Sequence, residues 1–295
     1  MRYAYSTKEL LNLLRSSGVE ANPASPFRAL LTLNREDPPI PLGEEQRLLC
    51  AFALTPERTL VVGRHSSVDG ELYLLNIGPL WYLYTWLEAQ DTHVFEAYFD
   101  RPRLLKLLNK NFCGFYRPNF GAYTQLNLRM THDEYTVWNL IRGLYASRVR
   151  NGIGDNTPFL ADDLKSPDLV LYLRNYLDEL GMNSLSGDLD RLTDETTHQA
   201  MDLALRGLEE KGILAPDLAP VVEHDEPAYR LTRTALERLD DGMLVDTVWF
   251  ADRTDPNKTR EMLLCLRRDG VLALIPTNGG VALRSFPEFP WDDLI

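Results

Sequence analysis

The sequence is poor in the residues that most often carry chemistry. Its three cysteines, Cys50, Cys113 and Cys265, stand far apart, and none belongs to a CxxC pair or a metal-type spacing. An odd, unpaired set suits a reducing cytoplasm. The five histidines are scattered singly. No GxxxxGK[ST] phosphate loop occurs, and Ser184, Ser186 and the other serines lack the GxSxG setting of a hydrolase nucleophile. No motif states a chemistry.

Long apolar runs are missing as well. Leu72–Leu87 comes nearest to a membrane-spanning length but carries Asn76, Gly78 and Pro79. Met1 to Ser6 leads into the charged amphipathic stretch Lys8–Arg15 without the continuous apolar core of a signal peptide, so a soluble cytoplasmic protein is expected. Positive charge is scarce too. Lys and Arg number 31 against 43 Asp and Glu, the net charge is −12, and no basic run is longer than Arg267-Arg268. A nucleic-acid binder needs a basic stripe to displace counterions, so nucleic acid is excluded as a partner. With 44% hydrophobic and 25% charged residues over 295 positions, the chain reads as globular and long enough for one large domain or two.

What is present is a repeated pattern. Apolar runs Val245–Phe250, Met262–Leu266, Val271–Ile275 and Val281–Phe286 are separated by Thr254–Asn257, Arg267–Gly270 and Asn278–Gly280. Leu60–Val62, Leu72–Ile77, Leu80–Trp86 and Val94–Phe99 are separated in the same manner by His65–Gly70, Gly78-Pro79 and Glu88–Thr92. Each set reads as a four-stranded antiparallel meander. At a constant offset Leu49 falls on Leu239, Leu60 on Phe250, Glu71 on Glu261 and Leu74 on Leu264, which points to a duplication. The expected fold is α+β: two related halves, 1–120 and 121–295, each with helices followed by an antiparallel β-meander, forming a central sheet flanked by helical bundles.

The helices follow from periodicity and caps. Ser6 or Thr7 caps a helix to about Ser17; Ser25–Leu33, opened by Pro26, predicts a second, and Leu42–Ala53 a third. Arg101–Asn111 follows the first meander, and the aromatic, glycine-bearing stretch Asn111–Gly121 marks the seam between halves. Thr131-x-x-Glu134 is a capping box opening an amphipathic helix to about Arg150. Asp168–Leu180 and Thr193–Lys211 are predicted helices, the latter the longest, before Thr232–Leu239 leads into the second meander.

The candidate sites have plain competing explanations. His132-Asp133-Glu134 and His224-Asp225-Glu226 repeat a tripeptide of metal-binding types, but adjacent residues do not readily face one ion, and a helix cap and a loop account for them better. Gly152-Ile153-Gly154 follows a helix and runs toward Pro158, so it is a helix stop and not a phosphate loop. Neither a metal nor a cofactor is expected. Acids spread along Thr193–Lys211 would repel phosphate, which speaks against a winged-helix regulator. Alternation sends Trp81, Leu83 and Thr85 to one face of their strand and Tyr82, Tyr84 and Trp86 to the other. If helices cover both faces, these are core residues; if one face is open, it is a ligand or protein surface.

The stretches Ser6-Thr7-Lys8-Glu9-Leu10-Leu11, Leu208–Leu214, Tyr229-Arg230-Leu231-Thr232 and Val245–Phe250 together resemble the EspG-type chaperones of type VII secretion and related Firmicutes secretion-cluster proteins. That resemblance implies a non-catalytic cytoplasmic protein that binds a helical secretion substrate in an apolar groove and keeps it soluble for export. Hairpin position and the breadth of the Asp168–Leu180 stripe place partner contacts at Arg64, His65, Val68, Val170, Leu171 and Tyr172. The alternative is an enzyme or small-ligand protein with a pocket between the halves lined by Trp81, Tyr84, His93 or His132.

Overall fold

At two places in the chain a short strand, a capping box and a helix follow one another without a gap. Strand β1, Arg2–Tyr5, ends at Ser6, whose Oγ accepts from the Glu9 amide at 3.3 Å while Glu9 accepts from the Ser6 amide at 2.9 Å. Helix α1, Thr7–Ser16, starts there. Strand β6, Asn127–Thr131, does the same: the Thr131 amide donates to Glu134 at 2.7 Å, the Glu134 amide donates to Thr131 Oγ1 at 3.2 Å, and α4, His132–Arg150, begins.

The computed structural model describes residues 2–32, 38–64, 71–98, 100–113, 125–152, 157–179, 184–193, 198–217, 227–233 (without 234), 235, 244–258, 260–267 and 270–295. The fold is α+β. The first meander is β2, Arg58–Arg64; β3, Leu72–Ile77; β4, Leu80–Leu87; and β5, Thr92–Tyr98. The second is β9, Leu244–Asp252; β10, Arg260–Arg267; β11, Gly270–Thr277; and β12, Gly280–Phe286. They join through antiparallel β2 and β9 into a ten-stranded sheet of order β1-β5-β4-β3-β2-β9-β10-β11-β12-β6. Each meander therefore ends against one of the two strand-and-helix starts, β5 against β1 and β12 against β6.

Contacts divide the chain into two compact units. The first holds residues 1–123, 245–273 and 286–295. One face of its sheet is covered by α1 and α2, Glu44–Leu54, which bury Leu10, Leu13, Leu14, Leu49, Phe52 and Leu54 with Leu75, Tyr82, Tyr84 and Phe95 of the strands. The other face carries α3, Arg101–Cys113, and the C-terminal helix α8, Trp291–Leu294. Trp291 is buried, stacks on Phe289 with centroids 4.1 Å apart, and donates its indole N–H to Asn109 Oδ1 at 2.8 Å. Arg58 donates to the carbonyls of Leu294 and Ile295 at 3.2 and 3.0 Å.

The second unit holds residues 124–244 and 274–285. Its helices are α4; α5, Pro167–Glu179; α6, Ser184–Thr193; and α7, His198–Glu210, and α4 touches the other three. Every residue from Glu134 to Ile141 is buried, so α4 is a central helix with no solvent face along that stretch. Two glycines let it pack closely. A Cβ on Gly143 would come within 2.7 Å of Leu169, and one on Gly207 within 2.1 Å of Glu134 Oε1. A separate hairpin of β7, Leu214–Asp217, and β8, Ala228–Leu231, follows α7.

Some expected elements differ. Ser25–Leu33 is not an α-helix, and only Leu30–Thr32 closes a 3₁₀ turn. Ser25 Oγ instead donates to the Ala53 carbonyl at 2.7 Å and accepts from the Phe27 amide at 3.2 Å, and Asn22 Oδ1 accepts from the Ala24 amide. Such local bonds offer the backbone an alternative to the helix. Of the span Thr193–Lys211, α7 covers His198–Glu210 and residues 194–197 lie outside the described residues; α4 is the longest helix among the described residues. The expected seam, Asn111–Gly121, and the helix Thr232–Leu239 lie largely outside the described residues.

Candidate binding groove

Alternation along β4 decides where the groove opens. Register pairs Tyr82 with Ala97, Tyr84 with Phe95 and Trp86 with His93, so these side chains share the face that α1 and α2 cover. Tyr82 meets Phe52 at 4.3 Å and Tyr84 meets Phe27 at 4.6 Å between ring centroids, both within the core. Trp86 lies past the end of this cover and is 44% exposed. The aromatic cluster is thus core for most of its length and surface at one end.

At that end is a cavity of about 1030 Å³, within the first unit. Its walls are Phe27 and Leu30 from the segment after α1, Glu71 just before β3 and Tyr73 within it, Tyr84 and Trp86 from β4, Leu87 to Gln90, His93 from β5 and Thr7 from α1. Tyr73 and Tyr84 pack with centroids 5.3 Å apart, and His93 stacks on Trp86 at 5.8 Å with rings 3° from parallel.

His93 is buried and held at both ring nitrogens. Nδ1 lies 2.9 Å from Tyr84 Oη and Nε2 lies 2.9 Å from Thr7 Oγ1. Thr7 also donates its hydroxyl and its amide N–H to Asp91 Oδ1. A carboxylate only accepts, which fixes the direction of the whole chain: Tyr84 donates to His93 Nδ1, His93 Nε2–H donates to Thr7, and Thr7 donates to Asp91. Burial pushes the imidazole pKa down against the opposing charge of Asp91, so the neutral form is favoured. Burial, then the charges of Tyr73 and Glu71, raise the Tyr84 phenol. Tyr73 is pushed up to about 12, by burial first and then by its 2.5 Å hydrogen bond to Glu71 Oε2. All three rings stay uncharged near neutral pH.

The residues singled out from sequence are scattered by comparison. Tyr84 and His93 line the groove together. Trp81 is on the opposite face of β4, buried, with the Arg58 guanidinium 5.9 Å over its ring. His132 opens α4 in the second unit. Arg64, in the first unit, donates to the Phe112 carbonyl at 2.9 Å, at the end of α3. His65, Val68 and the tripeptide His224-Asp225-Glu226 lie outside the described residues. Val170, Leu171 and Tyr172 fall on α5 in the second unit, where Val170 is half-buried and Leu171 and Tyr172 are 56% and 49% exposed. Among the described residues no group of three His, Cys, Asp or Glu side chains is placed to hold a metal, and no helix is long and apolar enough to cross a membrane. Thr7, Phe27, Glu71 and Tyr73 were not legible as site residues. Thr7 is 86 positions from His93, and only the cap assignment, Ser6 and not Thr7, hints that its side chain is released from capping.

No protein-family model matches the sequence, and no curated protein matches it. Among solved structures, one that it resembles is the type VII secretion system chaperone EspG5 of Mycobacterium tuberculosis in complex with a PE25–PPE41 dimer. The likeness covers 99% of this chain and 92% of that one, at a TM-score of 0.39 and 12% identity. It is a distant likeness.

Proposed function

We propose that this chain is a non-catalytic, cytoplasmic binding protein of the secretion-chaperone kind, which takes an apolar helix of a protein destined for export into the groove of its first unit. The observation that carries this reading is the groove itself: about 1030 Å³, open at Trp86 and walled mainly by aromatic and aliphatic side chains. That is at the upper end of the roughly 300–1,000 Å³ of small-ligand pockets and suits the side of a helix. The sequence stretches that resemble EspG-type chaperones add the expected class of partner. Exposed Leu171 and Tyr172, with Val170, are proposed as a second contact surface, and Arg64, His65 and Val68 as further partner contacts.

An enzyme at this groove is the rival reading. It would use His93 as its base, yet Nδ1 accepts from Tyr84 and Nε2 carries the proton it donates to Thr7, whose own hydroxyl proton goes to Asp91. A general base needs an unprotonated ring nitrogen facing the proton it removes. Binding therefore suits the geometry better than catalysis.

The test is affinity capture from lysate of the source organism with the wild-type chain and with Trp86→Asp. The expected result is one helical protein retained in near-equal amount by the wild type and lost from the variant. Equal retention by both would move the partner away from the groove, and a small molecule that raises the melting temperature with no protein retained would favour the rival reading.

A further inference from the structure

Charge inside the groove narrows what fits it. Glu71 and Glu88 are its acidic side chains, and no lysine or arginine is among the described residues that line it. The Arg253 guanidinium acts on Tyr73 from outside that lining. Tyr73 donates to Glu71 Oε2 and so fixes the carboxylate in place, while no other hydrogen bond to Glu71 is present among the described residues. Trp86 has His93 stacked on one face of its indole and remains 44% exposed. The chain as a whole carries a net charge of −12, whose field favours a cationic visitor.

A purely apolar helix seated here would strip water from Glu71 and Glu88 without replacing it, which costs more than its own burial returns at those positions. An acidic helix would add repulsion. An ammonium or guanidinium, by contrast, pairs with the carboxylate and rests against an electron-rich ring face. Resting on the groove reading given above, we propose that the partner helix carries a lysine or arginine within its apolar face, and that Glu71 and Trp86, with Glu88 at the rim, receive it. The groove is then selective for apolar helices with one embedded basic residue.

Three amphipathic helical peptides that share one leucine stripe and differ at a central position, Lys, Met or Glu, test this by fluorescence titration into the full chain. The Lys peptide should bind about tenfold tighter than the Met peptide at low salt, in keeping with one charge-assisted contact, and the Glu peptide weakest. Added salt should shrink the difference. Glu71→Gln should abolish the Lys preference by weakening the Lys peptide, while the Met peptide should bind somewhat tighter, because a neutral amide costs less to desolvate than a carboxylate, and Glu88→Gln should reduce the preference. Equal binding of Lys and Met peptides to the wild type would overturn the basic-residue inference and leave the groove reading standing. Failure of all three to bind would overturn both.

Discussion

Thr7 and His93 meet at 2.9 Å between Oγ1 and Nε2, which ties the first residue of α1 to the second residue of β5. Through it the N-terminus of a helix, the strand next to the sheet's edge and the turn at Asp91 become one unit. Asp91 has φ 44, the only positive value at a non-glycine among the described residues, and the two bonds it accepts from Thr7 help offset that conformation. Thr7→Val removes the acceptor of the buried His93 N–H and the donor to Asp91. A loss of about 1–2 kcal/mol in urea unfolding is expected, and Thr7→Ser should recover most of it.

The pH dependence of stability has two arms. The folded pKa of His93 lies below its ordinary 6.5, so the unfolded chain takes up a proton first as pH falls. Its contribution is intact above about pH 6.5 and is lost as pH falls from there through the folded pKa. Tyr73 moves the other way, from 10.0 to about 12, so its contribution holds below pH 10 and is lost as pH rises toward 12. Melting midpoints across pH should show both declines, with His93→Asn flattening the acid arm and Tyr73→Phe the alkaline one.

Gly207→Ala should destabilise although alanine is the better helix former by about 1 kcal/mol. The new Cβ would sit 2.1 Å from Glu134 Oε1, displacing a buried carboxylate that pairs with Lys211 and caps α4. A net loss of about 1–3 kcal/mol in chemical denaturation is expected.

Trp291→Ala should cost about 3–5 kcal/mol, the range for emptying a large aromatic site. The ring is 3% exposed, stacked on Phe289 and bonded to Asn109. Thermal unfolding followed by circular dichroism reads the effect.

Leu171→Ser separates stability from binding. Leu171 is 56% exposed on α5, so its loss should change unfolding by less than about 0.5 kcal/mol. If α5 is a contact surface, partner capture should fall while the melting curve stays put.

Much of the sheet was legible because its signal is local. Turns such as Gly78-Pro79 and Asn278–Gly280 punctuate alternating strands, and the Thr131-x-x-Glu134 capping box is read within four residues of sequence. Strands β1 and β6 were not legible: they are short, and their partners are residues 93–96 and 280–284, far along the chain. Tyr135, Trp138, Leu140 and Ile141 read as one face of an amphipathic helix, but Thr136 and Asn139 between them are buried too, by bonding back to the carbonyls of His132 and Tyr135. Polar residues satisfied by their own helix look like surface in a periodicity plot. The groove was half legible. Alternation groups Tyr84 with Trp86, whereas Thr7, Phe27 and Glu71 reach the same place only through tertiary packing.

Wide antiparallel sheets are exposed to growth by chain-to-chain pairing along their outermost strands. Here those strands are β1 and β6, with four and five residues, and each passes at once into a capped helix. Among the described residues, an incoming strand would find only those few backbone groups before the chain turns into a helix. Connectivity of this kind limits strand-to-strand growth at the helix side of both outer strands, a guard against aggregation.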